Sequence, residues 1–230
     1  MLSLNSNPEH MKTFTYALLF FLLLFTACTA PHEKVSVDYT TYVNPFIGTD
    51  FTGNTYPGAQ APFGMVQLSP DNGLPGWDRI SGYFYPDSTI AGFSHTHLSG
   101  TGAGDLYDIS FMPVTLPYKE AEVPLGIHSR FSHDDESATA GYYQVLLKDY
   151  NINVELTATE RCGIQRYTFP EAQAAIFLNL KKAMNWDFTN DSRIEIVDSV
   201  TIQGYRFSDG WARDQHIYFR TRFSKPFTSV

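Results

Sequence analysis

Tyr142-Tyr143-Gln144-Val145-Leu146-Leu147-Lys148-Asp149-Tyr150-Asn151-Ile152-Asn153-Val154-Glu155-Leu156-Thr157-Ala158-Thr159 is the stretch that decides the fold class. It holds two short, partly alternating runs rich in β-branched and aromatic residues, split by Asp149-Tyr150-Asn151. A period of two lines up apolar side chains on one face of a strand, and Asp and Asn let the chain reverse. The spacing predicts an antiparallel hairpin. The same rhythm continues through 162–169, 174–180, 194–197, 200–207 and 217–223. Many short strands at regular spacing, with no long helical period and no internal repeat, predict an all-β protein built as a large antiparallel β-sandwich.

Upstream, the sequence changes character. Met1 to His10 is polar, and Met11-Lys12 then opens an apolar run, 17–25, that stops at Thr26-Ala27-Cys28. The run is too short to span a bilayer comfortably and has the charge-then-apolar order of a secretory signal. Phe25-Thr26-Ala27-Cys28 resembles the lipobox of bacterial lipoproteins, although Phe25 stands where Leu is usual. The expected organisation is a signal peptide over 1–28 with Met11 as the true start, a short linker over 29–42, and the β-sandwich over 43–230. Cys28 would carry the lipid and anchor an exported protein to the bacterial envelope, in the periplasm or at the outer membrane.

Composition narrows the function. A formal net charge of -8 leaves no basic face for nucleic acid. Aromatic residues make up 15% of the chain, which suits either a large sandwich core or sugar-stacking surfaces. With Cys28 processed, Cys162 has no intrachain partner, which excludes a disulfide framework and predicts a buried small hydrophobe.

The polar motifs lie between 43 and 113. Gly92-Phe93-Ser94-His95-Thr96-His97-Leu98-Ser99-Gly100 places two imidazoles one residue apart, on one face if the strand continues. His95 and His97 could ligate a metal, line a polar cleft, or be satisfied structural histidines; only Asp105 and Asp108 lie near enough in sequence to complete a metal set. Trp77-Asp78 follows Gly73-Leu74-Pro75-Gly76. An indole with an adjacent carboxylate on a loop suits a sugar ring, whose apolar face stacks while its hydroxyls bond; the alternative is a Trp folded back onto the core. His133 to Glu136 reads as a solvated loop. Gly100-Thr101-Gly102-Ala103-Gly104 lacks the Lys-Ser/Thr pair of a phosphate loop, and no Gly-x-Ser-x-Gly elbow occurs.

Val43-Asn44-Pro45-Phe46-Ile47-Gly48-Thr49, Gly53-Asn54-Thr55-Tyr56-Pro57-Gly58-Ala59, Pro62-Phe63-Gly64-Met65-Val66-Gln67-Leu68-Ser69-Pro70 and the His95-His97 segment are together similar to the amino-terminal region of glycoside hydrolase family 92. Arg166-Tyr167-Thr168-Phe169-Pro170, Gly204-Tyr205-Arg206-Phe207 and Gly210-Trp211-Ala212 extend the resemblance. It implies an exo-acting, calcium-dependent α-mannosidase that inverts the anomeric centre, often on α-1,2-linked mannose of N-glycans or mannan. It also implies a catalytic (α/α)6 barrel that follows the sandwich and carries the acid, the base and most calcium ligands. The chain ends at Val230 directly after a strand, so the expectation is a truncated enzyme, inactive alone and without catalytic or metal residues of its own. Its share of the mannose cleft is expected at Trp77 and Asp78, with His95, His97, Phe46, Gly48 and Asp50 shaping the same wall. Gln165 stands where the resemblance leads one to expect His, a departure expected to affect packing. The alternative is a stand-alone carbohydrate-binding lipoprotein.

Overall fold

The computed structural model describes residues 12, 16, 37–100, 102–117, 126–171, 173–181 and 187–229. The chain falls into two units, Met1–Asp38 and Tyr39–Val230. In the first, Lys12 and Tyr16 are helical, and the expected start at Met11 and lipidation at Cys28 lie outside the described residues. No helix among the described residues is long and apolar enough to cross a membrane.

The second unit is built from strands β1 (Ala59–Gln60), β2 (Gln67–Asp71), β3 (Thr89–Ile90), β4 (Gly92–Ser94), β5 (Ser110–Thr115), β6 (Ser129–Arg130) and β7 (Glu136–Thr139). They are followed by β8 (Tyr142–Leu147), β9 (Ile152–Ala158), β10 (Gly163–Thr168), β11 (Ala174–Asn179), β12 (Phe188–Asp198), β13 (Thr201–Asp209) and β14 (Gln215–Arg222). Every pairing is antiparallel: a five-stranded sheet β1-β2-β4-β5-β11, a four-stranded meander β10-β9-β8-β7, a three-stranded sheet β12-β13-β14 and the small pair β3-β6.

The hairpin expected from 142–159 forms as β8 and β9, with Tyr143 opposite Leu156 and Val145 opposite Val154. Asn151 takes the left-handed turn at φ 51, which Asn tolerates. Tyr143, Val145, Leu147, Ile152, Val154 and Leu156 all point inward. They meet Leu68, Phe93, Met112 and Val114 of the five-stranded sheet, and β1 and β2 lie directly on β8 and β9. Each such side chain contributes about 1.5–3 kcal/mol by leaving water.

β5 is buried on both faces. Met112 and Val114 enter this core, whereas Phe111, with Ile109, turns to a second cluster that includes Ile217 and Phe219 of β14. The three-stranded sheet therefore covers the outer face of β5 and β11, and the domain has three layers. That explains why Ser110-Phe111-Met112-Pro113-Val114 does not alternate in polarity. β4 meets β5 only at Phe93 and Phe111, so Pro113, which has no N–H, lies past that ladder.

A buried charge network ties the third layer down. Arg206 donates to Asp108 at 2.6 Å and to the carbonyls of Leu106 and Leu180, with Asp187 at 3.4 Å. Asp108 also accepts from Thr96 Oγ1 at 2.6 Å and from Gln215 at 2.9 Å. On the outer face of the same sheet, Phe207 stacks between Tyr205 and His216, with ring centroids 4.4 and 3.9 Å away.

Two expectations are corrected. Cys162 is exposed on the turn between β9 and β10, because inward positions of β10 belong to Tyr167 and its neighbours. Glu136 is not solvated: its side chain is 1% exposed and accepts from Tyr83 Oη at 2.9 Å, Tyr143 Oη at 2.6 Å and His133 Nδ1 at 2.7 Å. Three donors make burial of that carboxylate tolerable.

Candidate functional site

The two histidines leave the strand, since β4 ends at Ser94 and the alternation rule ends with it. His97 is buried. Its Nδ1 donates to the Gln67 carbonyl at 2.7 Å, while Nε2 faces Asp71 Oδ1 at 2.9 Å and Ser94 Oγ at 3.0 Å. A nucleophilic triad needs carboxylate and serine on opposite ring nitrogens. Here both sit on Nε2, with the His97 and Asp71 side chains at 0% exposure, so the constellation is structural. Gly82, at φ 88, closes this pocket: an added Cβ would fall 2.5 Å from Asp71 Oδ1.

His95 goes elsewhere. Its Nδ1 donates to the Ile109 carbonyl at 2.7 Å, leaving Nε2 to accept from the Gln165 amide at 3.4 Å. Burial lowers its pKa, so the ring is neutral. Gln165 thus holds one histidine rotamer across two sheets. His97 is wholly enclosed, whereas His95 is half-buried with its ring edge-on to Phe111, centroids 5.7 Å apart.

Trp77 and Asp78 are exposed on a 3-10 turn, Trp77–Arg79. Gly76, at φ 149, opens the turn, and Arg79 closes it by donating Nε and Nη2 to Asp87 at 2.6 and 2.5 Å. The guanidinium also lies 4.9 Å from the Phe84 ring centroid, and the Asp87 bonds raise its pKa. Trp77 is 56% exposed, and its ring lies over Gly102, where an added Cβ would sit 3.2 Å from Cη2 and Cζ2. It is therefore seated against backbone, with a large part of the indole left to solvent.

The loop at 46–50 divides its labour. Phe46 packs edge-on against Tyr85, centroids 6.0 Å apart, and belongs to the core margin. Gly48, at φ 83, permits a close approach: a Cβ on Gly53 would fall 2.2 Å from the Gly48 carbonyl oxygen. Asp50 accepts from the Phe51 amide at 2.7 Å, and Phe51, at φ 51, is 80% exposed. Behind them, burial pushes the Tyr56 hydroxyl up to about 12.

The glycine-rich segment after Ser99 is where the loops meet. The Gly100 amide donates to the Asn54 carbonyl at 2.6 Å, Gly102 lies under Trp77, and Asp105 Oδ2 accepts from the Ala212 amide at 3.0 Å. Small residues here admit other chain segments, not a phosphate. Leu106, Tyr107 and Ile109 then all take positive φ, at 83, 57 and 56. Bulky residues in that region store roughly 1–3 kcal/mol each, and such strain clusters at functional sites. Among the described residues no three His, Cys, Asp or Glu side chains group to hold a metal.

Sequence alone missed Arg79 and Asp87, which brace Trp77, and the anchoring role of Asp105. Arg79 and Asp87 pair across eight residues of irregular loop, and Asp105 meets Ala212 across 107, so no spacing rule marks either. What the assembled loops offer chemically is an exposed indole beside an exposed carboxylate, with no open pair of nucleophile and base among their described residues.

Comparisons with known proteins agree with this architecture. The model of the glycosyl hydrolase family 92 N-terminal domain matches residues 42–230. A family GH92 α-mannosidase of Bacteroides thetaiotaomicron, solved alone and with mannoimidazole, is 44% identical with a TM-score of 0.78, covering 82% of this chain and 26% of its own. The solved GH92 glycosyl hydrolase ccman5 is 28% identical with a TM-score of 0.65, covering 80% of this chain and 26% of its own. A protein of Arthroderma benhamiae named an uncharacterized secreted glycosidase is 28% identical over 165 residues, which is 69% of this chain and 20% of that protein. The chain thus spans about a quarter or less of the length of these relatives. A family match over nearly the whole second unit, with the same fold in solved members, means that the chain belongs to glycosyl hydrolase family 92 as its N-terminal domain.

Proposed function

We propose that this domain forms one wall of the mannose cleft of an exported exo-α-mannosidase that acts, with inversion, on terminal α-1,2-linked mannose of N-glycans or mannans. The observation that carries the reading is the indole of Trp77, 56% exposed over Gly102 and braced by Arg79, in a family whose solved members include α-mannosidases. The apolar face of the terminal sugar stacks on Trp77, and the carboxylate of Asp78 accepts from its hydroxyls. Asp50 stands on the neighbouring loop.

Inverting hydrolysis needs an acid on the leaving oxygen and a base-activated water on the opposite face, with carboxyls about 6.5–9.5 Å apart. Among the described residues the buried carboxylates are committed: Asp71 to His97, Asp87 to Arg79, Asp108 and Asp187 to Arg206, Asp105 to two backbone amides and Glu136 to three donors. The acid and base then come from a catalytic domain that the longer relatives have room for, and the share of this chain is to bind and orient the sugar. Calcium, implied by the resemblance, finds no fitting donor set among the described residues. Export follows from the Met11-Lys12 start and apolar run, with Cys28 as the lipid anchor, and the Arthroderma relative carries the word secreted in its name.

The test is hydrolysis of α-1,2-mannobiose by the purified chain, with and without calcium, beside calorimetric titration with methyl α-mannoside. We expect saturable binding, lost in Trp77→Ala, and no turnover. Turnover abolished by chelation overturns the division of labour; absence of binding overturns the wall.

A further inference from the structure

We propose that Trp211 is a second sugar-contacting residue of this wall, taking the ring next to the one on Trp77, and that Asp105 is the residue that positions it. The inference rests on the reading of the wall just given and extends it to the disaccharide.

Trp211 is 75% exposed at the tip of the β13–β14 hairpin. Its neighbours Asp209, Arg213 and Asp214 are polar, so the tip has no core to serve. A large aromatic left in water on such a loop is a contact surface in waiting. The contrast lies a few residues away: Tyr205, Phe207 and His216 stack on one another and so use up their ring faces. Trp211 makes no ring contact or hydrogen bond through its side chain among the described residues.

The tip is nevertheless held. The Ala212 amide donates to Asp105 Oδ2 at 3.0 Å, and the Gly210 amide donates to the Ala212 carbonyl at 3.1 Å. Gly210 packs so closely on Asp105 that an added Cβ would fall 2.8 Å from Oδ1. Asp105 itself is 2% exposed and takes the Leu106 amide on Oδ1 at 2.7 Å. A buried carboxylate thus fixes the backbone on both sides of one exposed indole, and the strained residues Leu106 and Tyr107 follow it directly.

This anchor is three residues from Gly102, on which Trp77 rests. Three residues span at most roughly 10 Å, so both indole-bearing loops are moored to one short segment of backbone. Two exposed indoles on loops that share this mooring suit a ligand of more than one ring, a mannose disaccharide or longer, with the terminal ring on Trp77 and the next on Trp211.

The test compares methyl α-mannoside with α-1,2-mannobiose by titration on the full chain. Trp211→Ala should weaken mannobiose by ten-fold or more and leave the monosaccharide within two-fold, and Trp211→Phe should recover most of the loss. Ala212→Pro removes the N–H that Asp105 Oδ2 accepts while keeping the carboxylate and its Leu106 bond. It should reproduce the loss for the disaccharide alone, which a merely structural role would not do. Unchanged mannobiose affinity in Trp211→Ala, with binding lost in Trp77→Ala, overturns this inference and leaves the wall standing. Equal losses for both sugars overturn the assignment to the second ring. No binding of either sugar by the unaltered chain overturns both readings.

Discussion

Arg79 grips Asp87 through two parallel hydrogen bonds of 2.6 and 2.5 Å, and this clasp fixes the turn that presents Trp77. A fork on a carboxylate sets direction as well as distance, and Lys, a point charge on a flexible stem, cannot reproduce it. Arg79→Lys should therefore weaken methyl α-mannoside binding about 5- to 20-fold, roughly 1–2 kcal/mol, while the melting temperature moves little. Paired titration and thermal melts check this; a large loss of stability with unchanged affinity would count against the positioning role.

The ion pair of Arg206 with Asp108 lies at 0% exposure on both side chains. Removing one partner strands the other charge in a dry interior, at about 3–5 kcal/mol. Arg206→Met should lower the urea midpoint by that equivalent, and Asp108→Asn by less, because Arg206 keeps Asp187 and the Asn carbonyl oxygen can still accept one of the donors. Equilibrium unfolding followed by Trp fluorescence measures both.

Gly82→Ala should cost about 2–4 kcal/mol. The backbone there is at φ 88, and the new methyl would fall 2.5 Å from Asp71 Oδ1 and 3.0 Å from the His97 ring, neither of which can retreat. Thermal unfolding of the variant, with Gly141→Ala as a positive-φ control whose nearest atom is 3.9 Å away, separates the clash from the backbone strain.

His95 links the domain to pH. Burial holds its pKa below the ordinary value, so the unfolded chain takes up the proton first. The stability this neutral ring provides is present above its unfolded pKa of about 6.5 and is lost as pH falls through it, at up to about 1.4 kcal/mol per pH unit. Melting temperature should drop between pH 7.5 and 5, and His95→Gln should flatten that slope.

Cys162 is free and exposed, so it should react with a thiol reagent in the folded protein without prior denaturation. Cys162→Ser should change stability by less than about 0.5 kcal/mol. A thiol that reacts only after denaturation would contradict the turn geometry.

From residue 142 onward the strands are legible in the linear sequence. β8 matches the expected 142–147, and β9, β10, β11 and β14 lie within one or two residues of their expected bounds, because strand alternation and turn chemistry are local. β12 is longer than the expected 194–197, since its exposed, bulged edge carries no clean alternation. Sequence also singled out Trp77 and Asp78, as polar turn formers around an indole are visible without a fold. The remaining contacts were set by long-range packing. Asp105 meets Ala212 across 107 residues, and Arg206 meets Asp108 across 98. His97 turned inward because Asp71 and Gln67 waited there, and Glu136 was buried because two tyrosines and a histidine converged on it. Such contacts depend on which loops the packed sheets bring together, and a linear spacing cannot encode a partner set by the closure of distant strands.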